Sequence, residues 1–366
     1  MLPIGTVRAQ AFTIPTDAPE SDGTASWNST TLIVVHVKAG DQEGIGYSYA
    51  DPSMARLVKS ELASVVVGLD VMDPPRAWRA MQVAVRNLGR EGLAGCAISA
   101  VDSALWDLKA KLLDLPLAHL LGRYRDEVPI YGSGGFTSYD DARLAEQLSG
   151  WVEQDGCRWV KMKVGTHPDR DPARVAVAKA AIGSATLFVD ANGAYSVKQA
   201  IDLAICFAGD HGVTWFEEPV SSDNLTGLRR VRDHVPSAME VAAGEYGYDP
   251  TYFRRMLEAG AVDVLQADAT RCGGVTGFML AAAQAEAFHI DLSAHCAPAL
   301  HRHLGLAAPR FRHCEWFHDH VRIERMLFDG APVPHGGAIM PDSGRPGLGL
   351  IFKQQDAARF AVGAGD

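Results

Sequence analysis

The sequence predicts an α/β protein, a modified (β/α)8 barrel of the TIM type preceded by an N-terminal α+β capping domain. Three observations favour this fold. The chain is 366 residues long, strand-like segments give way to helical ones before about residue 121, and short apolar runs alternate with helical patterns from Val128 onward. Such alternation indicates parallel strands joined by right-handed crossovers. An open, doubly wound sheet is the alternative arrangement.

The capping domain is predicted to span residues 1–121. Thr31–Val37 is rich in β-branched residues, and a polar turn separates it from a second strand candidate at Gly44–Tyr49. Helices are expected from about residue 53, and Ala97–Leu113 carries apolar residues at helical spacing. Strands followed by helices are typical of a compact α+β domain.

Residues 122–318 predict the barrel. Helical patterns such as Asp140–Gln154, Pro172–Ile182 and Ser196–Ala208 separate short apolar segments. Eight of these segments are strand candidates: Val128–Tyr131, Trp159–Val164, Leu187–Asp190, Thr214–Glu217, Met239–Ala242, Val262–Gln266, Ile290–Ala294 and Phe311–Trp316. Eight such units of roughly 25 residues suit a closed barrel. The Gly- and Pro-rich tail, residues 319–366, is expected to return to the capping domain.

The overall composition indicates which kinds of binding partner and which cellular compartment to expect. A formal net charge of −10 disfavours nucleic acid as a partner. The apolar runs are too short to span a bilayer and no signal-peptide pattern is visible, so no membrane partner is expected. Six scattered cysteines without a CxxC pair indicate a reduced, cytoplasmic setting. Cys272 and Cys296 are interpreted as packed thiols rather than reactive ones.

Polar side chains occupy the C-terminal ends of seven consecutive strand candidates, the face on which barrel enzymes build active sites. They are Lys161, Lys163, Asp190, Asn192, Glu217, Glu218, Glu245, Asp268, His295 and Glu315. Asp190, Glu217 and Glu245 come from three adjacent strands, so their charges repel unless a cation neutralises them. Oxygen ligands without cysteine favour Mg²⁺ over Zn²⁺.

Two of these positions suit proton transfer. Lys161 and Lys163 alternate along one strand and therefore point the same way into the barrel, where a desolvated wall and a metal lower the pKa of a lysine. His295 lies one strand beyond Asp268, whose carboxylate would fix the imidazole tautomer. Lys163 and His295 flank the carboxylate strands and are expected to approach opposite faces of one substrate carbon.

In these motifs the chain resembles the mandelate racemase subgroup of the enolase superfamily. The matching motifs, about one βα unit apart, are Lys161-Met162-Lys163, Val189-Asp190-Ala191-Asn192, Phe216-Glu217-Glu218-Pro219, Ala243-Gly244-Glu245, Asp268, His295 and Glu315. The resemblance extends over nearly the whole chain and implies that the Mg²⁺ ligands are Asp190, Glu217 and Glu245. The muconate-lactonizing subgroup instead has a lysine on strand six, and none stands there in this sequence.

The resemblance also implies a role for each remaining catalytic candidate. Lys163 would be one acid/base group, and Lys161 would lower its pKa and help to bind the substrate carboxylate. His295, held by Asp268, would be the other acid/base group. Glu315 would donate a hydrogen bond to the substrate carboxylate, which requires Glu315 to be protonated.

Substrate contacts are expected from the barrel mouth and from capping-domain loops that would close over it. Trp27 and Tyr47, with Tyr49 nearby, fall where such loops are predicted, and Asn192 follows a candidate metal ligand. The His318-Asp319-His320 run is more typical of a helix face or a loop than of a metal pair. His318 is nevertheless expected to touch the substrate.

The shared chemical step implied by the resemblance is removal of the α-proton of a carboxylate substrate, with Mg²⁺ stabilising the enediolate. Dehydration of an acid sugar is the expected outcome. Racemisation or epimerisation of a 2-hydroxy or sugar acid, and cycloisomerisation of an anhydro acid sugar, remain alternatives. A Zn²⁺ amidohydrolase and a non-catalytic binding barrel are the remote ones. A homo-oligomer is expected, either an octamer or a smaller even-numbered form.

Overall fold

The N-terminal part of the computed structural model, which describes residues 1–363, is a layer of helices on an antiparallel sheet. Its first strands are β1 (Thr6–Ser21), β2 (Ser26–Ala39) and β3 (Gln42–Tyr49). They are followed by α1 (Ser53–Leu57), a π-helical turn (Val58–Leu62), α2 (Ala63–Val66), α3 (Pro74–Ala84), α4 (Leu93–Leu112) and α5 (Leu117–Leu121). Apolar side chains of α4 are buried against the sheet, as the helical spacing predicted.

Strand β1 was missed by the sequence analysis, which identified only the two strands after it. The reason is that Pro15, Pro19 and intervening polar residues interrupt its apolar pattern. The pairing of β1 with β2 shifts register after Pro15, which marks a β-bulge. The far end of β1 reaches the barrel, where the hydroxyl oxygens of Ser21 and Thr137 lie 2.6 Å apart.

The next segment forms a closed barrel of parallel strands. The strands are β4 (Val128–Gly134), β5 (Trp159–Lys163), β6 (Thr186–Asp190), β7 (Trp215–Glu217), β8 (Glu240–Ala243), β9 (Val264–Ala267), β10 (Asp291–Ala294) and β11 (Phe311–Phe317). Pairing of β11 with β4 closes the barrel. The predicted fold class is therefore confirmed, and each of the eight strand candidates overlaps an observed strand.

Helices on the outside connect the barrel strands. They are α6 (Asp141–Glu153), α7 (Asp171–Ala181), α8 (Val197–His211), α9 (Leu225–Arg232), α10 (Pro250–Glu258), α11 (Gly274–Ala287) and α12 (Pro298–Ala307). Inside the barrel, Tyr131, Phe188, Trp215, Ala242 and Val264 form a separate buried cluster. Because side chains two residues apart face the same way, this cluster lies one layer below the polar strand ends.

The C-terminal segment begins with α13 (His318–Leu327) and runs back to the N-terminal sheet. Its other elements are β12 (Phe328–Asp329), β13 (Ala338–Ile339), β14 (Ile351–Phe352), α14 (Gln354–Ala357), a 3₁₀ turn (Ala358–Phe360) and β15 (Ala361–Val362). Strand β15 pairs antiparallel with β1, and the Phe352 ring lies 5.2 Å from that of Phe12. Across residues 1–363, none of the helices combines the length and apolar character needed to cross a membrane.

Candidate active site

Three carboxylates meet at the C-terminal ends of neighbouring barrel strands. Asp190 ends β6, Glu217 ends β7 opposite it, and Glu245 follows β8 by two residues. Oxygen atoms of the three lie within 4.8 Å of one another, and no member is more than 2% exposed. Glu245 Oε2 is buried without a hydrogen-bond partner. A hard cation that binds carboxylate oxygens, such as Mg²⁺, fits this set of donors.

Two buried ammonium groups balance the charge of these carboxylates. Lys161 Nζ lies 2.5 Å from Glu217 Oε1 and 2.8 Å from Glu315 Oε1, and Lys163 Nζ lies 2.5 Å from Asp190 Oδ2. Burial would lower the pKa of Lys163, but the Asp190 carboxylate outweighs it and raises that pKa above its ordinary value. The lowering predicted from the sequence is for a lysine beside a bound metal, and it stays a prediction. A cation bound at Asp190 would weaken the effect of that carboxylate on Lys163.

His295 lies between two carboxylates, one near each ring nitrogen. Its Nδ1 atom lies 2.8 Å from Asp268 Oδ2, and its Nε2 atom lies 3.3 Å from Glu245 Oε2. Burial would lower the pKa of His295, but Glu245 and Asp268 outweigh it and raise the pKa. The Asp268 contact favours a proton on Nδ1 and leaves Nε2 on the side of the candidate metal ligands.

Glu315 on β11 lies among positively charged groups. It accepts a hydrogen bond from Ser133 and is 2.8 Å from the Lys161 ammonium. Burial would raise the pKa of Glu315, but Lys161, His295 and Lys163 outweigh it and hold that pKa well below its usual range. The surrounding positive charges therefore favour the carboxylate form of Glu315, and its protonation beside a substrate stays a prediction.

Lys163 and His295 line one cavity of about 520 Å³ between the barrel mouth and the capping-domain strands. Trp27 and Asn192 line the same cavity, as expected for residues that touch substrate. Trp27 Nε1 donates a 2.7 Å hydrogen bond to Glu20 Oε2, which fixes the indole at the cavity wall. Asn192 Oδ1 is buried without a hydrogen-bond partner and is a free acceptor there. A cavity of this size suits a small ligand.

The structure places two other expected substrate contacts elsewhere. Tyr47 is fully buried, and its hydroxyl donates a 2.6 Å hydrogen bond to Glu324 Oε1, so it packs behind the cavity rather than lining it. His318 Nε2 lies 3.0 Å from Asp17 Oδ2, and its side chain is engaged in that pair instead of the cavity wall. Tyr49, one pleat beyond Tyr47 on the same strand face, does line the cavity.

Arg271 is a functional candidate that the sequence analysis missed. Its Nη1 atom lies 3.2 Å from Glu245 Oε1 and its Nε atom 3.6 Å from Asp268 Oδ2, so it links a candidate metal ligand to the partner of His295. Arg271 also lines the cavity, where its guanidinium lies 5.1 Å from the Tyr246 ring centroid. Its position three residues after Asp268, at the same strand end, was the available signal.

Left-handed backbone conformations cluster directly after the candidate catalytic strands. Asn192, Glu218, Cys296 and Ala297 have φ values of 46°, 37°, 53° and 40°. Non-glycine residues seldom adopt these values, and such strain is concentrated at functional sites. Each of these residues follows a candidate site residue by one or two positions, so the strain accompanies the turn that leaves the strand end.

Two family models together match most of the chain. Residues 6–122 match the mandelate racemase/muconate lactonizing enzyme N-terminal domain, and residues 143–357 match the enolase C-terminal domain-like family. The chain is 32% identical to the 3,6-anhydro-alpha-L-galactonate cycloisomerase of Streptomyces coelicolor, over 98% of this chain and 99% of that protein. It is 30% identical to the L-talarate/galactarate dehydratase of Salmonella typhimurium, over 88% of this chain and 81% of that protein.

Solved structures agree with these similarities. A mandelate racemase/muconate lactonizing enzyme-like protein from Rubrobacter xylanophilus superposes with a TM-score of 0.96 and 50% identity, covering 98% of this chain and 99% of that one. A racemase from Streptomyces coelicolor with bound magnesium superposes with a TM-score of 0.91 and 30% identity, covering 98% of this chain and 100% of that one. The similarity therefore extends over both domains.

Proposed function

The chain belongs to the mandelate racemase/muconate lactonizing enzyme family of the enolase superfamily, and on that premise we propose that it removes the α-proton of an acid-sugar carboxylate and then expels the β-hydroxyl group as water. It is an enzyme of the lyase or isomerase type. Relatives that dehydrate L-talarate/galactarate, L-rhamnonate and arabinonate support both the substrate class and the elimination.

One observation carries the proposal: two groups capable of proton transfer line a single cavity. Lys163 ends β5 and His295 follows β10, with the strands that bear the three carboxylates between them in the barrel. A substrate held at those carboxylates would present its α-carbon to both groups. We assign Lys163 and His295 as the acid/base pair on this basis.

The cofactor is Mg²⁺, and we assign its ligands as Asp190, Glu217 and Glu245. Proteins of this fold have been solved with magnesium bound. A bound Mg²⁺ supplies positive charge beside the substrate carboxylate and stabilises the negative charge that develops as the α-proton leaves. The unpartnered Glu245 Oε2 supports the assignment, because a buried carboxylate oxygen needs a donor or a cation.

Each remaining residue then has a defined task. One member of the acid/base pair accepts the α-proton, and the other donates a proton to the departing hydroxide as the C–O bond breaks and a C=C bond forms. Asp268 holds the His295 tautomer, and Lys161 positions the substrate carboxylate. Glu315 must take up a proton when the substrate carboxylate arrives beside it, since two carboxylates there would repel.

Cycloisomerisation is the second candidate, and one observation favours it. The 3,6-anhydro-alpha-L-galactonate cycloisomerase aligns over 98% of this chain and 99% of its own length, a closer match in length than that of the L-talarate/galactarate and L-rhamnonate dehydratases. The same α-proton transfer begins or completes that reaction. The two outcomes differ in whether the oxygen that departs from the β-carbon leaves as water or remains in the product.

A library of acid sugars, including 3,6-anhydro acids, tests the proposal. Incubation with Mg²⁺ in D₂O, followed by NMR, should reveal one substrate that gives a 2-keto-3-deoxy acid and exchanges its α-proton. A product that retains every heavy atom of the substrate and gains only solvent deuterium would identify cycloisomerisation or epimerisation instead. Activity that survives complete removal of divalent metal by EDTA, or a requirement for Zn²⁺, would contradict the proposed chemistry.

We also propose that the enzyme forms an even-numbered homo-oligomer in the cytoplasm. The family resemblance supports the assembly. The six cysteines support a reducing compartment, because all of them are free thiols in the structure.

A further inference from the structure

We propose that the cavity also contains a separate site for a thiophilic divalent cation such as Zn²⁺, formed by His295 Nε2, Cys296 Sγ and Glu315 Oε2. These three ligand atoms lie within 4.8 Å of one another, and all three residues are buried. Cys296 has no role in the proposed reaction. A cation bound there would occupy the nitrogen that His295 needs for proton transfer.

The distances within this set match a tetrahedral zinc site. Cys296 Sγ lies 3.3 Å from His295 Nε2 and 3.3 Å from Glu315 Oε2, and the remaining separation, from Nε2 to Oε2, is 3.7 Å. With Zn–S bonds of ~2.3 Å and Zn–N or Zn–O bonds of ~2.0–2.1 Å, tetrahedral ligands are ~3.3–3.6 Å apart. The side chains therefore need shifts of only a few tenths of an ångström.

An independent feature beside these three ligand atoms also favours a cation. Glu245 Oε2 is 3.3 Å from His295 Nε2, is buried, and has no hydrogen-bond partner. Because Glu245 is also assigned to Mg²⁺, the two sites adjoin each other and their cations would repel, so a large excess of Mg²⁺ should weaken Zn²⁺ binding.

The backbone holds the thiol in place, and the cavity gives access to it. Cys296 has a left-handed φ of 53°, and its amide donates a 2.9 Å hydrogen bond to Glu315 Oε2. Cys296 and His295 both line the cavity that substrate would enter. A hydrated ion can therefore reach the site by the substrate's own route.

The chemistry of the ligands selects the ion. A sulfur ligand favours Zn²⁺ and similar soft cations, whereas Mg²⁺ prefers oxygen ligands alone. On binding, the thiol loses its proton to solvent as the Zn–S bond forms, and His295 coordinates through the Nε2 lone pair. No oxidation or reduction takes place. Zinc binding does not depend on the proposed function, but the resulting inhibition of turnover does.

Cobalt provides a direct test, because Co²⁺ bound by thiolate gives an intense charge-transfer band in the near ultraviolet and oxygen ligation does not. Adding Co²⁺ to the Mg²⁺-loaded enzyme should produce this band. Micromolar Zn²⁺ should abolish it and should inhibit turnover reversibly, with recovery after chelation. Cys296→Ser should lose the band and should weaken Zn²⁺ inhibition at least about 10-fold, as loss of a ligand requires.

Cys206→Ser is the matched control, because Cys206, Asp210 and His211 form another thiol-containing group at the surface. It should keep the band. A band that persists in Cys296→Ser, or disappears in Cys206→Ser, would overturn the proposal. Should Cys296→Ser fail to fold, His295→Asn decides, since unchanged cobalt affinity in that variant also overturns it. A band without turnover on any acid sugar would instead count against the proposed function.

Discussion

Carboxylate groups at the barrel mouth concentrate negative charge in one place; they belong to Asp190, Glu217 and Glu245. The ammonium groups of two lysines lie 2.5 Å from the Glu217 and Asp190 carboxylate oxygens and partly neutralise that charge. The consequence appears in the acid/base groups themselves. The pKa of Lys163 is raised by Asp190, whereas a base requires it to be lowered. A divalent cation on the carboxylates would reverse that electrostatic balance, so metal binding and base strength at this site are coupled.

Replacing one proposed metal ligand should weaken Mg²⁺ binding and leave the fold unchanged. Glu245→Gln should lower Mg²⁺ affinity at least about 10-fold and remove turnover, because the neutral amide binds a hard cation less well. Calorimetric titration with Mg²⁺ measures the affinity, and far-UV circular dichroism should remain that of the native protein. Glu258→Gln, on a half-exposed helical side chain, controls for loss of a carboxylate and should bind normally. Unchanged Mg²⁺ affinity in Glu245→Gln would contradict the ligand assignment.

The two proton-transfer groups should fail in different ways. For dehydration, one of the variants Lys163→Ala and His295→Asn should lose α-proton exchange and elimination together. The other should retain exchange in D₂O while losing elimination, because the deprotonated intermediate still forms and is reprotonated. Loss of a positioned acid or base costs on the order of 10²–10⁴-fold in rate. Asp268→Asn should resemble His295→Asn in kind, since it disturbs the imidazole tautomer. Near-wild-type turnover in both single variants would show that the site is assigned wrongly.

At the scale of elements, the capping domain depends on a close approach between strand β3 and helix α4. A Cβ atom on Gly46 would lie 2.2 Å from Ala100 O, and one on Gly44 would lie 2.3 Å from Ala104 O. Both obstacles are backbone atoms, which cannot move without shifting the helix. Since Tyr49 lies on the same strand and lines the cavity, this packing also determines where that side of the cavity lies.

Gly46→Ala should therefore destabilise the protein by at least about 1–3 kcal/mol, the usual cost of overpacking a close contact. Urea unfolding followed by circular dichroism measures the change in the free energy of unfolding. Gly5→Ala is the matched control, because its new Cβ would meet only Lys38 O at an ordinary 3.6 Å. Equal stability of the two variants would mean that β3 and α4 are not packed as closely as the structure indicates.

At the scale of the molecule, helix α4 also joins the capping layer to the barrel. Asp102 on α4 accepts hydrogen bonds from the backbone amide and the hydroxyl of Thr276, at 2.9 and 2.7 Å, in the first turn of α11. Asp102 is fully buried, and this burial raises its pKa from 3.8 to about 7. The division of the chain at residues 121/122 and 318/319 stays a prediction.

The raised pKa of Asp102 gives stability a defined pH dependence. The folded protein binds this proton more tightly than the unfolded chain, so the free energy of unfolding should fall as pH rises from about 4 to about 7, by roughly 1.4 kcal/mol per unit. Asp102→Asn should reduce the measured slope by that contribution, as followed by urea unfolding at several pH values. Asp126→Asn, on a side chain that is 95% exposed, controls for removal of a surface charge. Identical slopes in wild type and Asp102→Asn would refute the assignment.

Assembly stays a prediction at the same scale. Light scattering at micromolar concentration should give the mass of an even-numbered oligomer. Several large apolar side chains at the surface, including Val83, Leu88 and Val333, are more than half exposed and are available for burial between subunits. A monomer mass across the concentration range would contradict the expectation.

By itself, the sequence determined the barrel and the order of its polar strand ends. Apolar periodicity identifies each barrel strand, and parallel strands in a barrel must bring their C-terminal ends to one face. For that reason the positions of Asp190, Glu217, Glu245 and His295 could be related before any coordinates were known. Strand β1 was not predicted because prolines and polar residues interrupt the alternation of apolar side chains along it.

Only the tertiary structure decided the properties that depend on distances between side chains rather than on the order of residues along the chain. Tyr47 and Tyr49 share a strand face, yet Tyr49 lines the cavity while Tyr47 is buried against Glu324 from a distant helix. Arg271 became a site residue only through its 3.2 Å contact with Glu245. The signs of the pKa shifts at Lys163 and Glu315 likewise followed from which opposite charge lay nearest. Coulomb energies scale with separation, which a linear sequence does not encode.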